Sequence, residues 1–201
     1  MAVDKTGTGN NFTQEGTLAG ASDTVTTGFR RYPDSVFLVA GTAATASSPA
    51  TFGIDYLARN CVGAPGNGST DQLVESIFTF ANDTLRCRGN GVVNPQPIAQ
   101  NVAQFQVTYM EQTTDGAGTK VQYIKGSDMP AAAADPRWRR IQGVQVCLVL
   151  YGSEPIDMPA GSSYTDCAGT SVNMTALTGE RKNRMHLLFR NTYQLRSQGL
   201  L

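Results

Sequence analysis

Apolar and polar side chains alternate with a period of two in three separate stretches of the chain. Phe105, Val107 and Tyr109 alternate with Gln104, Gln106 and Thr108. Val144, Val146, Leu148 and Leu150 form one apolar face, with Cys147 on the other. Met185, Leu187, Phe189, Tyr193 and Leu195 alternate with His186, Arg190, Thr192, Gln194 and Arg196. A two-residue period places every second side chain on one side of a pleated strand, so each stretch predicts a half-buried strand. The expected core is Phe105, Val107, Tyr109, Val146, Leu148, Phe189 and Tyr193, and His186 is expected on a solvated polar face.

The intervening sequence supplies turns. Asp23–Arg31 and Val36–Val39 read as short strands separated by Pro33-Asp34. Residues 41–53 read as a Gly/Thr/Ala/Ser/Pro loop, and Ile54, Tyr56 and Ala58 as an alternating strand running to Asn60-Cys61. Leu73–Phe80 and Leu85–Cys87 predict a hairpin across Asn82-Asp83. Pro95 and Pro97 mark a crossing, and Asp115-Gly116-Ala117-Gly118 closes a second hairpin with suitable turn residues. Residues 152–172 read as a loop. No segment keeps a 3.6-residue apolar period over three turns. The expectation is a mainly β protein of two antiparallel sheets with little helix, forming one domain over 22–201 after a loose lead-in over 1–21.

Composition changes little in this picture. Sixteen Lys+Arg balance sixteen Asp+Glu in 201 residues, and charged residues make up only 16% of the chain. Such low charge with abundant Gly, Thr, Ser, Asn and Gln suits a secreted β protein and argues against a polyanion-binding surface as the main business. Residues 137–201 carry the excess of basic side chains, a mild dipole.

Four cysteines change it more. Cys61, Cys87, Cys147 and Cys167 form no C-x-x-C, and the single histidine is remote in sequence from all of them. Zinc-ligand spacing is absent. Two structural disulfides in an oxidising compartment fit best, against the alternative of four reduced core thiols. Three pairings are possible. Cys61–Cys87 and Cys147–Cys167 are expected, because each joins segments that read as neighbouring strands.

Candidate chemistry is sparse. A triad through His186 lacks any recognisable nucleophile elbow, and no carboxylate pair stands out among sixteen acids. Asp115-Gly116-Ala117-Gly118-Thr119 offers too few oxygen side chains for a calcium loop and reads as a turn. Arg137, Trp138, Arg139 and Arg140 combine a stacking surface with three cations, the ingredients of single-strand nucleic-acid contact. The alternative is a core tryptophan flanked by solvated arginines. The sequons at Asn11, Asn67, Asn82 and Asn173 carry little weight in so Asn- and Thr-rich a chain. No enzyme activity and no cofactor are expected.

A disulfide protein needs an export signal, yet Met1-Ala2-Val3-Asp4-Lys5 has no apolar or basic signal region, and the best apolar run, Val146–Tyr151, is strand-sized. The expectation is a chain shortened at its N-terminus, with Met1 derived from a vector.

Several segments, taken in order, carry a family resemblance. They are Ser22-Asp23-Thr24-Val25-Thr26, Tyr56-Leu57-Ala58-Arg59-Asn60-Cys61-Val62-Gly63 and Leu85-Arg86-Cys87-Arg88-Gly89. The series continues through Gln96-Pro97-Ile98-Ala99-Gln100-Asn101-Val102, Phe105–Tyr109, the Asp115-Gly116 hairpin and Trp138 before Val144–Leu150. It closes with Phe189-Arg190-Asn191-Thr192-Tyr193-Gln194-Leu195-Arg196. In this order the segments resemble the PilW family of minor type IV pilins, related in architecture to the GspJ minor pseudopilins. The resemblance implies a β-rich head behind an apolar N-terminal helix, α+β in the whole protein. That helix would hold the head in the inner membrane, facing the periplasm, before it joins the extracellular pilus. The implied role is structural: initiating pilus assembly with other minor pilins, at the pilus tip and in contact with a tip adhesin. The rival readings are a secreted β-sandwich adhesin, a DNA-binding pilus component using Arg137–Arg140, and a periplasmic enzyme.

Overall fold

The computed structural model describes residues 24–30, 34–36, 41–48, 50, 53–55, 58–64, 73–90, 94–130 and 135–195. The lead-in over 1–21 and residues 37–39 of one expected strand lie outside them. The described chain is mostly antiparallel β, with three short 3-10 turns at Gly126–Asp128, Pro136–Arg140 and Gly179–Arg181.

Two four-stranded sheets carry the fold. The first contains β1 (Val25–Arg30), β4 (Leu73–Ala81), β5 (Thr84–Gly89) and β6 (Gln96–Gln100), in the order β1-β4-β5-β6. The second contains β7 (Val102–Asp115), β8 (Gly118–Lys125), β9 (Ile141–Tyr151) and β12 (His186–Gln194), in the order β12-β9-β7-β8. Two short ladders stand beside them, β2 (Asp34–Val36) with β3 (Gly53–Asp55), and β10 (Ser163–Thr165) with β11 (Ser171–Asn173).

The turn chemistry is legible in the backbone. Asn82 and Asp83 join β4 to β5 with φ of 50° and 54°, the left-handed pair of a tight hairpin that Asn and Asp tolerate best. At the β7–β8 turn the Asp115 carboxylate accepts the Ala117 N–H at 2.8 Å, so this acid closes the turn. The stretch around Pro95 and Pro97, expected as a crossing, contains strand β6. Pro97 is tolerated because β6 is an edge strand, where a missing N–H can face away from the ladder.

The main core lies between the sheets. Phe105, Val107 and Tyr109 from β7 are buried there with Val102, Val144, Leu85 and Val25, and Phe78, Phe80 and Ala99 close over them. Four expected core residues depart from this. Val146 and Leu148 are half-buried, while Phe189 and Tyr193 are 51% and 57% exposed. They share a face with the core residues, since Phe189 pairs with Leu148 and Tyr193 with Val144. However, β12 is an edge strand, and the apolar residues of the first sheet pack over β7 and β9 without covering it. The opposite face of the second sheet is also used. Val149, Tyr151 and Ala103 form a smaller cluster with Tyr164, Cys167 and Leu188, under the arch of residues 152–185.

Candidate functional site

Both cysteine pairs are joined, Cys61–Cys87 with Cα atoms 6.3 Å apart and Cys147–Cys167 with Cα atoms 5.8 Å apart. The first bond sits in a dense lock. Leu85, Cys87 and Gly89 occupy one face of β5 by period-two alternation, and the buried Asn60 side chain packs close against Gly89. Asn60 Oδ1 accepts the N–H groups of Val62 and Ala64, both at 3.1 Å, and Cys61 N–H donates to Ser76 Oγ at 3.0 Å. The second bond ties the arch to β9. Cys167 N–H donates to Gln104 Oε1, and Arg190 donates to the Cys167 carbonyl, both at 2.9 Å.

The residues singled out for nucleic-acid contact are split by the fold. Asp135 accepts the Arg137 N–H at 2.8 Å and so caps the 3-10 turn Pro136–Arg140 that carries all four. Arg137 turns inward, donating from Nε to Glu111 Oε1 at 3.0 Å and from Nη2 to Oε2 at 3.1 Å. Trp138 packs edge-on against Tyr109, with ring centroids 5.3 Å apart, and its indole N–H donates to the Pro130 carbonyl at 3.2 Å. Arg139 and Arg140 stay exposed. The four do not form one stacking platform.

Glu111 was not anticipated. Only 2% exposed, it also accepts from Gln122 Nε2 at 2.9 Å. The Arg137 hydrogen bond, opposed by burial and reinforced by Gln122, holds its carboxyl below the usual carboxylate range. A sequence signal existed: Glu111 continues the parity of Phe105, Val107 and Tyr109, and an acid at a core position demands a partner.

His186 corrects an expectation. Far from being solvated, it is 4% exposed, with its ring stacked on Tyr164 at 4.5 Å. Being first in β12, it faces the arch, which covers that end of the sheet.

One surface that the fold leaves open is apolar. A groove of about 390 Å³ runs between the β1 edge of the first sheet and strands β9 and β12 of the second. Its walls include Val25, Phe78, Val146, Leu148, Tyr193 and Leu195. Leu187, at 54% exposure, extends this strip along β12 with Phe189 and Tyr193, and Phe29 at 49% extends it along β1. Contiguous apolar surface of this kind on an otherwise polar protein marks a place where something docks. Among the described residues no group of three or more His, Cys, Asp or Glu could hold a metal ion, and no helix is long and apolar enough to cross a membrane.

The described residues thus define a two-sheet, disulfide-braced β domain with an uncovered apolar groove. The chain belongs to the family of type IV pilus-assembly protein W (PilW), whose model matches residues 54–197, more than two-thirds of its length. It is therefore a pilin-type component of type IV pilus assembly. Among solved structures it is similar to a type IV-like pilin, TTHA1219, from Thermus thermophilus. The identity is 13%, with 91% of this chain and 83% of that chain covered at a TM-score of 0.40. No curated protein matches the chain.

Proposed function

We propose that this chain is the head of a minor pilin that helps initiate type IV pilus assembly, in a complex with other minor pilins at the pilus tip. The observation that carries the reading, together with family membership, is the apolar groove between β1 and β12. The occupant we propose for it is an apolar N-terminal helix that anchors the head in the inner membrane, facing the periplasm, before assembly. Val25, at the start of β1, lines the groove, and Thr24 before it is buried. Burying Leu187, Phe189 and Tyr193, each about half exposed, would contribute about 1 kcal/mol per side chain. We read the role as structural and assign it no reaction. Free edges at β8 and β12 offer strand pairing to sibling heads or to a tip adhesin.

The test is a gene deletion complemented with the native gene or with the variants Leu187→Ser, Phe189→Ser and Tyr193→Ser combined. Deletion should reduce surface pili. The triple variant should fold as a head, with its melting temperature within a few degrees of the native one, yet fail to restore piliation. Normal pili on the deletion strain would defeat the reading and favour an independent adhesin module. A DNA-binding role would instead rest on Arg139 and Arg140, and would give a salt-sensitive gel shift that their substitution abolishes.

A further inference from the structure

The arch of residues 152–185 is tied to the second sheet by the Cys147–Cys167 bond, by the hydrogen bonds of Cys167 to Gln104 and Arg190, and by Tyr164 and Cys167 packing on Val149 and Tyr151. The Arg181–Asp83 ion pair joins it to the β4–β5 turn of the first sheet. Under it lies His186, the chain's only histidine. Tyr164 of β10, in the arch, stacks on the imidazole almost parallel, at 9°, while Tyr151 of β9 lies 5.7 Å away on a tilt. Nδ1 meets the Arg184 carbonyl at 2.9 Å. That carbonyl can only accept, so the proton is on Nδ1 and the neutral tautomer is fixed. Nε2 is buried and has no hydrogen-bond partner among the described residues.

A second proton on this ring would find no acceptor among the described residues and would meet an unfavourable field. Arg181 faces it from the 3-10 turn Gly179–Arg181. Arg184, on its own run, sits over the Tyr151 ring at 5.8 Å while donating to the Gly152 and Ser153 carbonyls. The nearby acid, Asp83, is already occupied by Arg181 and by the Tyr151 hydroxyl at 3.0 Å. Glu180 acts on the Tyr151 phenol. The π face of Tyr164 would favour a cation, but stacking leaves the ring dehydrated and its new N–H unsatisfied.

We propose that the arch is a pH-sensitive element, latched onto the sheet by neutral His186 and released when the imidazole is protonated, with the Cys147–Cys167 bond keeping it tethered. The energetic direction agrees: burial, with a further contribution from Arg181, lowers the His186 pKa despite the Arg184 carbonyl. A histidine whose folded pKa is depressed favours the docked form fully above its free value of about 6.5, and that contribution is lost as pH falls toward the folded midpoint. Asp83 does not confuse this window, because its Arg181 hydrogen bond lowers its pKa and its own loss comes only in stronger acid.

The experiment is amide hydrogen exchange by mass spectrometry on tag-free protein at about pH 7.5 and about pH 5, corrected for intrinsic rates. Peptides from residues 160–185 should open about tenfold more for each pH unit between the free value and the folded midpoint, while β7 peptides stay protected. His186→Phe keeps a ring in the stack but cannot titrate, so its arch should show no such dependence. An unchanged arch in the native protein, or the same pH response in His186→Phe, overturns the proposal. Should that variant fail to fold, nuclear magnetic resonance titration of the single native imidazole decides. A midpoint below about 6.5 supports the latch, and one at or above it refutes the latch.

Discussion

Replacing Gly89 by alanine should damage the fold far more than a one-carbon change suggests. An added Cβ would lie 2.0 Å from Asn60 Nδ2 and 2.3 Å from its Cγ, so the Asn60 side chain must move. It is poorly free to do so. Its Oδ1 accepts two backbone N–H groups, from Val62 and Ala64, and the next residue is bonded to Cys87 on the same strand. Overpacking of this kind costs about 1–3 kcal/mol, and two disturbed hydrogen bonds add about 1 kcal/mol each. The sum is about 3–5 kcal/mol, which in a chain of this size lowers the melting temperature by about 10 °C. Differential scanning calorimetry on Gly89→Ala, with the disulfides verified by mass, measures it. Asn60→Ala alone should cost about 1–2 kcal/mol through the lost hydrogen bonds. The double variant should cost less than the two singles together, because removing Asn60 makes room for the new methyl. If Gly89→Ala melts within about 2 °C of the native chain, or if the two effects simply add, the contact does not constrain the fold as argued.

Glu111→Gln should cost about 1–2 kcal/mol, less than a fully buried ion pair because the Arg137 side chain keeps 33% of its exposure. Trp138 fluorescence during urea unfolding reads it. Glu111 has a lowered folded pKa, so its contribution is present above the unfolded value of about 4.3 and is lost as pH falls toward the folded one. The native protein should therefore weaken more steeply below about pH 4 than the variant does. A non-reduced digest should yield the Cys61–Cys87 and Cys147–Cys167 peptides. Opening the second bond by Cys147→Ser with Cys167→Ser should lower stability by about 3 kcal/mol in a urea titration.

Much of the architecture could be read from parity and turn residues. Alternation places Phe105, Val107 and Tyr109 correctly because β7 lies inside the second sheet with both neighbours present. The same rule fails for Phe189 and Tyr193, since it says which side chains share a face and not whether anything covers that face. Coverage depends on which strand ends up at the edge, and that is set by long-range pairing. Strand β6 is hidden in the sequence for a related reason: a proline argues against a strand only if the strand is central.

The site residues divide on the same principle. Glu111 and His186 look like ordinary polar positions in a strand, yet each sits where another segment crosses the sheet. For His186 the clue lay in the cysteines. Arg190 pairs with Cys147 on β9, and His186 shares the face of that pair by period two along β12. A bond from Cys147 to Cys167 must bring the arch over that face, so a polar residue there is roofed and not solvated. For Leu187, Phe189 and Tyr193 the clue is the converse. They lie on the opposite face at a sheet edge, and no covalent tie brings another part of the described chain across them. Along β12 the face toward the arch is thus covered at His186 while the opposite face is left apolar, an asymmetry that favours docking through the β12 groove over docking through the arch.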